Sequence, residues 1–359
     1  MSSLALPFLV LIFVVAAAGV WAAGIQLSDT TDVLASRFGL GEALGGLILL
    51  AITTNLPELA ITASAALRHD LSIAVGNILG GIAIQTVVLV VLDAFGRRGA
   101  RPLTYRAASL QLVLEGALVV GVLVIAIMGT QLPSSLIVGR VVPSGLLIAL
   151  GWLVGVWLIG RARGGLPWHE AGRAPDAQEM PGGVSKHMKN EEAQRGGHST
   201  ARTMLVFALA SVVTLAGGVF LAESGTRIAG DIGMSGVLFG STVLAASTAL
   251  PEISTGLASV KLGDDNLAIS DIFGGNAFLP VLFLVASLLS GKAVLPDAQA
   301  TDIYLAGLGV LLTVIYMWGL VFRPQRKVLG VGIDSLVVLV LYAIAVVGLV
   351  AVASAHPGT

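Results

Sequence analysis

GLILLAITTNLPELAITASAALRHDLSIAVGNILGGIAIQT, residues 46–86, occurs a second time in altered form as GSTVLAASTALPEISTGLASVKLGDDNLAISDIFGGNAFLP, residues 240–280. The two stretches align without a gap at an offset of 194 residues, and 13 of the 41 positions are identical. A repeat kept for packing alone would match mainly in its Leu and Val. The identities instead include residues that break helices, carry charge or allow close backbone contact: Thr54/Thr248, Pro57/Pro251, Glu58/Glu252, Gly80/Gly274 and Gly81/Gly275.

The composition places the chain in the membrane. Of its 359 residues, 56% are hydrophobic and 11% are charged, whereas about 25% charged residues are usual in a soluble domain. The sequence contains no cysteine, which excludes disulfides and thiolate chemistry. A net charge of -1 argues against a nucleic-acid partner.

Ten apolar segments are long enough to cross a bilayer, which takes about 20 residues. We therefore predict an all-α membrane protein with ten transmembrane helices. No Lys or Arg precedes the first segment, which favours a membrane helix over the alternative of a cleaved signal peptide. The predicted helices are 4–24, 42–67, 71–95, 105–127, 136–160, 202–224, 235–260, 266–290, 301–322 and 331–353.

A hydrophilic stretch at residues 161–201 divides the chain into two five-helix repeats, 1–160 and 202–359. It is rich in Gly, Pro and charges of both signs, which predicts a flexible linker. Its three histidines match no zinc-ligand spacing, so we interpret it as a solvated loop.

The basic residues predict the orientation. Sixteen of the 20 Lys and Arg residues lie in the linker and in the loops on its side of the membrane. The positive-inside rule then places the linker in the cytoplasm and both termini outside, and we expect a bacterial cytoplasmic membrane. The two copies of the repeat become inverted with respect to each other. That arrangement is typical of secondary transporters whose binding site lies at the repeat interface near the midplane.

The chemistry of the repeat points to a cation. Pro57 and Pro251 are predicted inside helices, where a proline releases the carbonyl four residues earlier, here that of Thr53 or Ser247. Within a bilayer such carbonyls must be satisfied by protein, water or an ion. A simple proline kink, satisfied by neighbouring helices, is the alternative.

Two carboxylates decide between these alternatives. Inserting a charge at the centre of a membrane helix costs at least ~2.5 kcal/mol, so Glu58 and Glu252 are functional candidates. Thr54 and Thr248 lie four residues earlier on the same helix faces. Carboxylate, hydroxyl and carbonyl oxygens are hard ligands, which Ca²⁺ and Na⁺ prefer.

The second helix of each copy adds a close-packing glycine pair and further polar residues. Asn77 and Asp271 come one turn before the glycines, and Gln85 one turn after. Asp271 is a third ligand, a gating group or a partner of a backbone amide, and the sequence leaves these three roles open. Glu115 and Glu223 have no counterpart in the repeat, so we expect structural or interfacial roles for them.

T-T-N-L-P-E and S-T-A-L-P-E resemble the G-T-S-L-P-E signature of the sodium/calcium exchanger superfamily of cation/calcium antiporters. G-N-I-L-G-G-I-A-I-Q and S-D-I-F-G-G-N-A-F-L resemble its G-N-x-x-G-S-N-x-x-N/D signature. The resemblance covers both repeats and the ten-helix plan. It implies that helices 2, 3, 7 and 8 enclose the ion sites while helices 1 and 6 slide across them.

The resemblance implies that Glu58 and Glu252 are the central ligands, aided by Thr54, Thr248 and the backbone near Ala51 and Ala245. Asn55, Gln85 and Asn276 occupy further motif positions. Several sodium-ligating oxygens of the signatures are missing. Asn55 and Ala249 replace the serine before Leu-Pro-Glu, Gly81 and Gly275 replace the serine of Gly-Ser-Asn, and Gln85 and Leu279 replace the closing Asn or Asp.

We therefore expect an antiporter that exports Ca²⁺ in exchange for protons. One divalent cation or two protons can neutralise two buried carboxylates, and a proton needs fewer oxygens than Na⁺ does. A Na⁺/Ca²⁺ exchanger and a cation-binding protein without exchange are the alternatives. A membrane enzyme finds no support, since neither H-E-x-x-H nor a cysteine is present. The expected partners are inorganic cations and the lipid bilayer, no cofactor is expected, and the sequence does not predict an oligomeric state.

Overall fold

The computed structural model describes residues 5–37, 51–96, 101–107, 109–162, 199–234, 239–263 and 265–355. Most of this backbone is helical. The first half contains α1 (Leu6–Arg37), α2 (Leu56–Leu67), α3 (Leu71–Phe95), the short α4 (Leu103–Arg106), α5 (Leu110–Thr130) and α6 (Pro143–Ala162).

The second half begins with α7 (Thr200–Asp231), followed by a π-helix (Gly240–Leu244), α8 (Ala245–Thr248), α9 (Leu250–Leu262) and α10 (Asp265–Phe278). A 3₁₀ turn (Leu279–Val281) leads into α11 (Leu282–Ser290), and a second one (Leu295–Asp297) precedes α12 (Ala300–Phe322). A two-stranded antiparallel hairpin, β1 (Lys327–Val328) and β2 (Val331–Gly332), connects α12 to α13 (Ile333–Ala355).

The described residues contain eight helical segments long and apolar enough to span a membrane, or nine if the bent pair Gly240–Thr248 and Leu250–Lys261 is one span. This confirms an all-helical membrane protein. The remaining predicted span, 42–67, is described from residue 51 onwards, where α2 is an apolar helix of 12 residues. The total of ten spans therefore stays a prediction, as does the structure of the linker, of which residues 163–198 lie outside the described ranges.

Both proline-containing helices are broken rather than continuous. Asn55 is the N-cap of α2 and Ala249 the N-cap of α9, so each proline is the second residue of a new helix. A proline is tolerated there, because the first N–H groups of a helix have no intrahelical partner. The two parts of the second copy meet at an angle of 51°. The prediction of a proline inside a continuous helix was wrong, and the break moves each glutamate from mid-helix to a first turn.

Helices α1 and α7 are longer than predicted, ending at Arg37 and Asp231 instead of near residues 24 and 224. The hydropathy falls where polar residues enter, but the helices continue through them. Thr30 shows why, since its hydroxyl bonds the carbonyl of Gln26 within the same helix at 2.6 Å. The two helices pack along each other, and they also contact α9 and α2, respectively.

The main core lies among α3, α5, α10, α12 and the inner face of α13. Polar contacts join the two halves across it. Ser270 on α10 donates to Glu115 on α5 at 2.6 Å, and Arg106 on α4 pairs with Asp265 on α10 at 3.2 Å. On the other side of the bundle Arg68 pairs with Glu223. Glu115 and Glu223 thus make inter-element contacts, as their predicted structural roles require.

Candidate ion-binding site

Two carboxylates face each other in the interior of the bundle. Glu58 and Glu252 are the third residues of α2 and α9, and their exposed fractions are 0% and 1%. The first turn of a helix carries a partial positive charge and unpaired N–H groups, which lowers the cost of placing a carboxylate there. The two helix breaks therefore explain how two acidic side chains are accommodated in an apolar interior.

Gln85 of α3 connects the two carboxylates. Its Nε2 atom lies 3.4 Å from Glu58 Oε1 and 3.3 Å from Glu252 Oε1, and it donates to Asn55 Oδ1 at 3.0 Å. Gln85 is completely buried, and these three oxygens are the acceptors of its Nε2 atom among the described residues. The orientation of the amide follows from these contacts, because an N–H group facing two carboxylates is favourable and an oxygen facing them is not.

The threonines of the repeat reach across to the opposite copy. The Thr248 hydroxyl lies near the Glu58 carboxylate, and the Thr54 hydroxyl lies near the Glu252 carboxylate. Both threonines are buried, and each also contacts a carbonyl of its own helix, that of Ala51 or Ala245. Each carboxylate is thus surrounded by groups from both copies of the repeat.

Several buried oxygens at this place have no hydrogen-bond partner within the described ranges of the chain. Each glutamate has one such atom, Oε2, and the amide oxygen of Gln85 is a third. Burial of an acceptor without a partner is costly unless something satisfies it. Hard oxygens of this kind are the ligands of Ca²⁺ and Na⁺. In the described parts of the chain no group of three His, Cys, Asp or Glu residues is placed to hold a metal ion, so the acidic charge nearest the site comes from the pair Glu58 and Glu252.

Asn77 and Asp271, which match in the repeat, take different partners. Asn77 Nδ2 donates to the Glu58 carbonyl and to Thr62 Oγ1, both at 3.2 Å. The Thr255 hydroxyl donates to Asp271 Oδ2 at 2.9 Å. Of the three roles left open for Asp271, the structure shows a side-chain hydroxyl as its partner rather than a backbone amide. Asp271 Oδ1 is among the buried oxygens that have no hydrogen-bond partner in the described residues.

The remaining candidates are Asn276, Thr53 and Ser247. Asn276 is fully buried on α10, where its Nδ2 donates to Thr86 Oγ1 at 3.0 Å. Thr53 is buried on the turn before Asn55. Ser247 is partly exposed, and its hydroxyl bonds the Val243 carbonyl at 2.8 Å, so its side chain belongs to its own helix.

The sequence analysis did not identify two threonines whose hydroxyls contact Asn77 and Asp271, the residues next to the carboxylate pair. Thr62 and Thr255 are both buried, and their hydroxyls meet the side chains of Asn77 and Asp271. A signal for Thr255 exists in the sequence, since it follows Glu252 by three residues and shares its helix face. It has no threonine counterpart in the first copy, which is why repeat matching did not select it.

Two departures from the signatures compensate each other. A Cβ atom on Gly275 would lie 2.7 Å from Asn55 Nδ2 and 3.6 Å from Gln85 Oε1. The larger side chain at position 55 therefore fills the space left by the absent side chain at position 275. Asn55 is held there by a bond from its Nδ2 to the Ala51 carbonyl at 2.7 Å.

A family model described as "Sodium/calcium exchanger protein" matches residues 8–162 and 202–351, which is most of both halves. The chain belongs to this family. The family resemblance stated from the two signatures is thereby confirmed. The family consists of membrane exchangers, so the enzyme alternative is set aside and the protein is an integral membrane protein of the cation/calcium antiporter superfamily.

Two relatives cover most of the chain. The inner membrane protein YrbG of Escherichia coli (strain K12) is 25% identical over 314 residues, 86% of this chain and 87% of that protein. A protein of Alkalimonas amylolytica named "Putative antiporter CaxA" is 25% identical over 281 residues, 78% of this chain and 80% of that protein.

The exchanger fold is also found in solved structures. The sodium-calcium exchanger NCX_Mj soaked with 10 mM Na⁺ matches with a TM-score of 0.60 and 16% identity over 96% of this chain and 99% of that one. The H⁺/Ca²⁺ exchanger CAX matches with a TM-score of 0.61 and 13% identity over 97% of this chain and 88% of that one. At these identities the likeness is one of fold.

Proposed function

We propose that this exchanger exports Ca²⁺ in return for protons, through alternating access to a site built on Glu58 and Glu252. The proposal includes ten transmembrane helices in two inverted five-helix repeats, 1–160 and 202–359, and a cytoplasmic linker at 161–201. The observation that carries it is the buried carboxylate pair joined by Gln85, each carboxylate with one oxygen that no described residue satisfies.

Charge balance supports a divalent cation. Two carboxylates in an apolar interior repel each other and lose their hydration, so they need about two positive charges nearby. One Ca²⁺ ion supplies both, and two protons do the same. The two occupants therefore exclude each other, and this mutual exclusion is what an antiporter requires.

The ligand set supports calcium over soft metals. Carboxylate, amide and hydroxyl oxygens come from Glu58, Glu252, Gln85, Thr54 and Thr248, and the chain contains no cysteine thiolate. For the amide oxygen of Gln85 to face an ion, the amide has to rotate, which exchanges its N–H contacts to the carboxylates for an ion contact. Asp271 lies in the next layer and supplies a further carboxylate oxygen.

Helix packing supports alternating access. Helices α1 and α7 pack on each other and cross α9 and α2, the helices that carry the glutamates. Small movements of this pair relative to the core expose the site on one side or the other. The core itself is tied together by the contacts of Glu115 and Arg106.

Flux measurements on the purified protein in proteoliposomes test the function. We expect Ca²⁺ to move against its own gradient when a pH gradient is imposed, and the pH gradient to dissipate when a Ca²⁺ gradient is imposed. A protein that binds Ca²⁺ without moving it belongs to the non-exchanging alternative. Ca²⁺ movement driven by Na⁺ at fixed pH, without any proton effect, points instead to the Na⁺/Ca²⁺ exchanger.

A further inference from the structure

A cavity of about 240 Å³ lies beside the proposed ion site, between the start of α3, the last turns of α7, the π-helix and the start of α12. Its polar lining comes from Ser72, Asn77, Thr226, Ser241, Gln299 and Asp302. Asn77 connects the cavity to the site, because its amide donates to the carbonyl of Glu58 at 3.2 Å. The cavity thus reaches a side chain that contacts the main chain of Glu58.

The lining segments all come from the same side of the bundle. By the predicted orientation, the start of α3, the end of α7 and the start of α12 lie at the outer face of the membrane. The cavity is therefore placed where ions enter or leave on that face. We refer to it as the outer cavity.

Asp302 is the one charged side chain among the described residues that line the outer cavity. Its exposed fraction is 3%, and its Oδ2 atom accepts a hydrogen bond from the Gln299 backbone N–H at 2.8 Å. Its Oδ1 atom lies opposite Gly76 of α3, where a Cβ atom on the glycine would be 3.7 Å from Oδ1. One carboxylate oxygen is thus held by the backbone, and the other points across the cavity towards the helix that carries Asn77.

A capping role accounts for part of this arrangement. Asp302 and Gln299 form a capping box at the start of α12, which needs an acceptor at position 302. Capping does not require a charge, because asparagine offers a similar acceptor. Nor does it require the side chain to line a cavity whose wall includes Asn77, a contact of Glu58.

We propose that Asp302 is the cation-selecting residue of the outer access route, concentrating cations in the outer cavity on their way to or from Glu58 and Glu252. The inference rests on the proposed function for its transport readout. A single negative charge in a narrow cleft with apolar walls raises the local cation concentration and the rate of cation entry, by about tenfold or more. The charge also excludes anions from the same route.

Transport by Asp302→Asn tests this role, since the substitution removes the charge and keeps an acceptor for the cap. Asp297→Asn is the matched control, because Asp297 is exposed and does not line the cavity. With Ca²⁺ applied at the outer face, we expect the KM of Asp302→Asn to rise about tenfold, the maximal rate to change less than twofold, and the dependence of KM on ionic strength to weaken. With Ca²⁺ applied at the opposite face, and in the control, KM stays unchanged. An unchanged outer KM, or a loss confined to the maximal rate, overturns the proposal.

A second measurement reads the local potential without any transport. The chain contains no cysteine, so a single Ser72→Cys substitution gives a unique thiol on the cavity wall. We expect a cationic methanethiosulfonate reagent to label it faster than an anionic one of similar size, and Asp302→Asn to reduce that ratio several-fold. Ser135→Cys, in the exposed segment between α5 and α6, is the control whose ratio stays constant.

The two measurements separate failure of this inference from failure of the proposed function. If the unmodified protein moves no Ca²⁺, the function fails while the labelling ratio still reports on Asp302. If Ca²⁺ moves but Asp302→Asn leaves both the outer KM and the labelling ratio unchanged, the function stands and the role of Asp302 is refuted.

Discussion

Gly24 of α1 lies against Pro251 of α9 so closely that a Cβ atom on the glycine would be 2.7 Å from the proline Cβ atom. Gly218 of α7 lies in the same way against Pro57 of α2, where its Cβ atom would be 2.8 Å from the proline carbonyl oxygen. The two glycines are 194 residues apart, and so are the two prolines. Each long helix therefore crosses the glutamate-bearing helix of the opposite half at an equivalent point.

Alanine at either glycine is expected to slow transport. Gly218→Ala is the stronger test, because the added methyl meets the backbone of Pro57, which has no rotamer to change. Overpacking such a contact costs about 1–3 kcal/mol. If the added methyl raises the free energy of the transition state for helix movement, the maximal rate drops about tenfold for each 1.4 kcal/mol. Proteoliposome flux and Ca²⁺ binding measured together check this, with binding expected to be retained.

Gly121→Ala is the control for this prediction, since no atom lies within 4 Å of its Cβ position in the described residues. It adds the same methyl inside α5 and should leave transport and stability near those of the unmodified protein. If Gly218→Ala keeps both its thermal stability and full transport, the idea that α7 moves over Pro57 is contradicted.

Replacing Glu58 or Glu252 by Gln should abolish exchange while leaving a folded, inserted protein. Glutamine keeps the size of the side chain but removes the charge that a divalent cation requires, and the carboxylate pair becomes a single acid. Glu223→Gln is the control, because Glu223 pairs with Arg68 away from the site and 26% of its side chain is exposed. Normal flux in either of the two site variants would refute the proposed site.

Gln85→Met should weaken Ca²⁺ binding without unfolding the protein. The thioether has nearly the same length, but it cannot donate to Glu58 and Glu252 and it removes one oxygen from the ligand set. We expect the apparent affinity for Ca²⁺ to fall about tenfold or more, because the oxygen that the rotated amide turns towards the ion is lost, and changing the groups around a metal site typically costs about 10–100-fold in affinity. Isothermal titration measures it.

Gln111→Met makes a matched comparison for Gln85. Gln111 Nε2 donates to Glu115 Oε1 at 2.8 Å, so this variant breaks a glutamine–glutamate bond outside the site. Equal affinity losses in the two variants would mean that Gln85 acts through general stability rather than through the carboxylate pair.

Deleting residues Gly164 to Gly197 should leave basal transport intact. This stretch lacks apolar periodicity and has no counterpart in the repeat, so we expect it to contribute neither a span nor a ligand. Flux and membrane insertion of the deletion variant are the measurements. A stable, correctly inserted deletion variant with no transport would show that the linker belongs to the transport machinery.

The repeat revealed the glutamates because charge, proline and glycine are rare in apolar helices and are easily matched between copies. It could not reveal how Gln85 is used. Either the N–H groups or the oxygen of its amide could face Glu58 and Glu252, and the choice depends on atoms from three helices. Gln85 and Glu252 alone are 167 residues apart in sequence. The pattern identified the residue, and only the tertiary arrangement shows that it bridges the pair.

The helix breaks were likewise beyond pattern reading. A proline in an apolar segment is compatible with a kink or with a new helix, and the choice depends on whether the preceding residue can act as an N-cap. The Asn55 side chain bonds the Ala51 carbonyl of the preceding turn but makes no N-cap hydrogen bond, and the chain breaks at Ala249 as well, which has no polar side chain. The second break follows from packing rather than from local sequence.

The coupling ion should be the proton. Leu279, Gly81, Gly275 and Ala249 stand where the family signatures place sodium-ligating oxygens, and Leu279 is completely buried among apolar side chains. A sodium ion needs several oxygens to replace its water, whereas a proton needs one carboxylate. We expect Ca²⁺ transport to respond to a pH gradient more strongly than to a sodium gradient. Vesicles in which Ca²⁺ exchanges for Na⁺ at fixed pH, with no effect of an imposed proton gradient, would restore the Na⁺/Ca²⁺ alternative.

Sodium sensitivity should be recoverable by restoring the missing oxygens, but only in combination. Leu279→Asp with Gly275→Ser is the simplest design, yet the serine Cβ atom would lie 2.7 Å from Asn55 Nδ2. Asn55→Ser has to accompany it, which removes the clash and adds a second hydroxyl. We expect the triple variant to show Na⁺-stimulated Ca²⁺ transport at fixed pH, and the Asn55→Ser/Gly275→Ser double variant to fold and to show a weaker response.

The buried aspartate also makes a stability test available. Added Na⁺ should raise the melting temperature of the triple variant more than that of the double variant, since an ion that binds only the folded state stabilises it. Equal melting shifts and no Na⁺ response would show that positions 275 and 279 do not determine which ion is coupled.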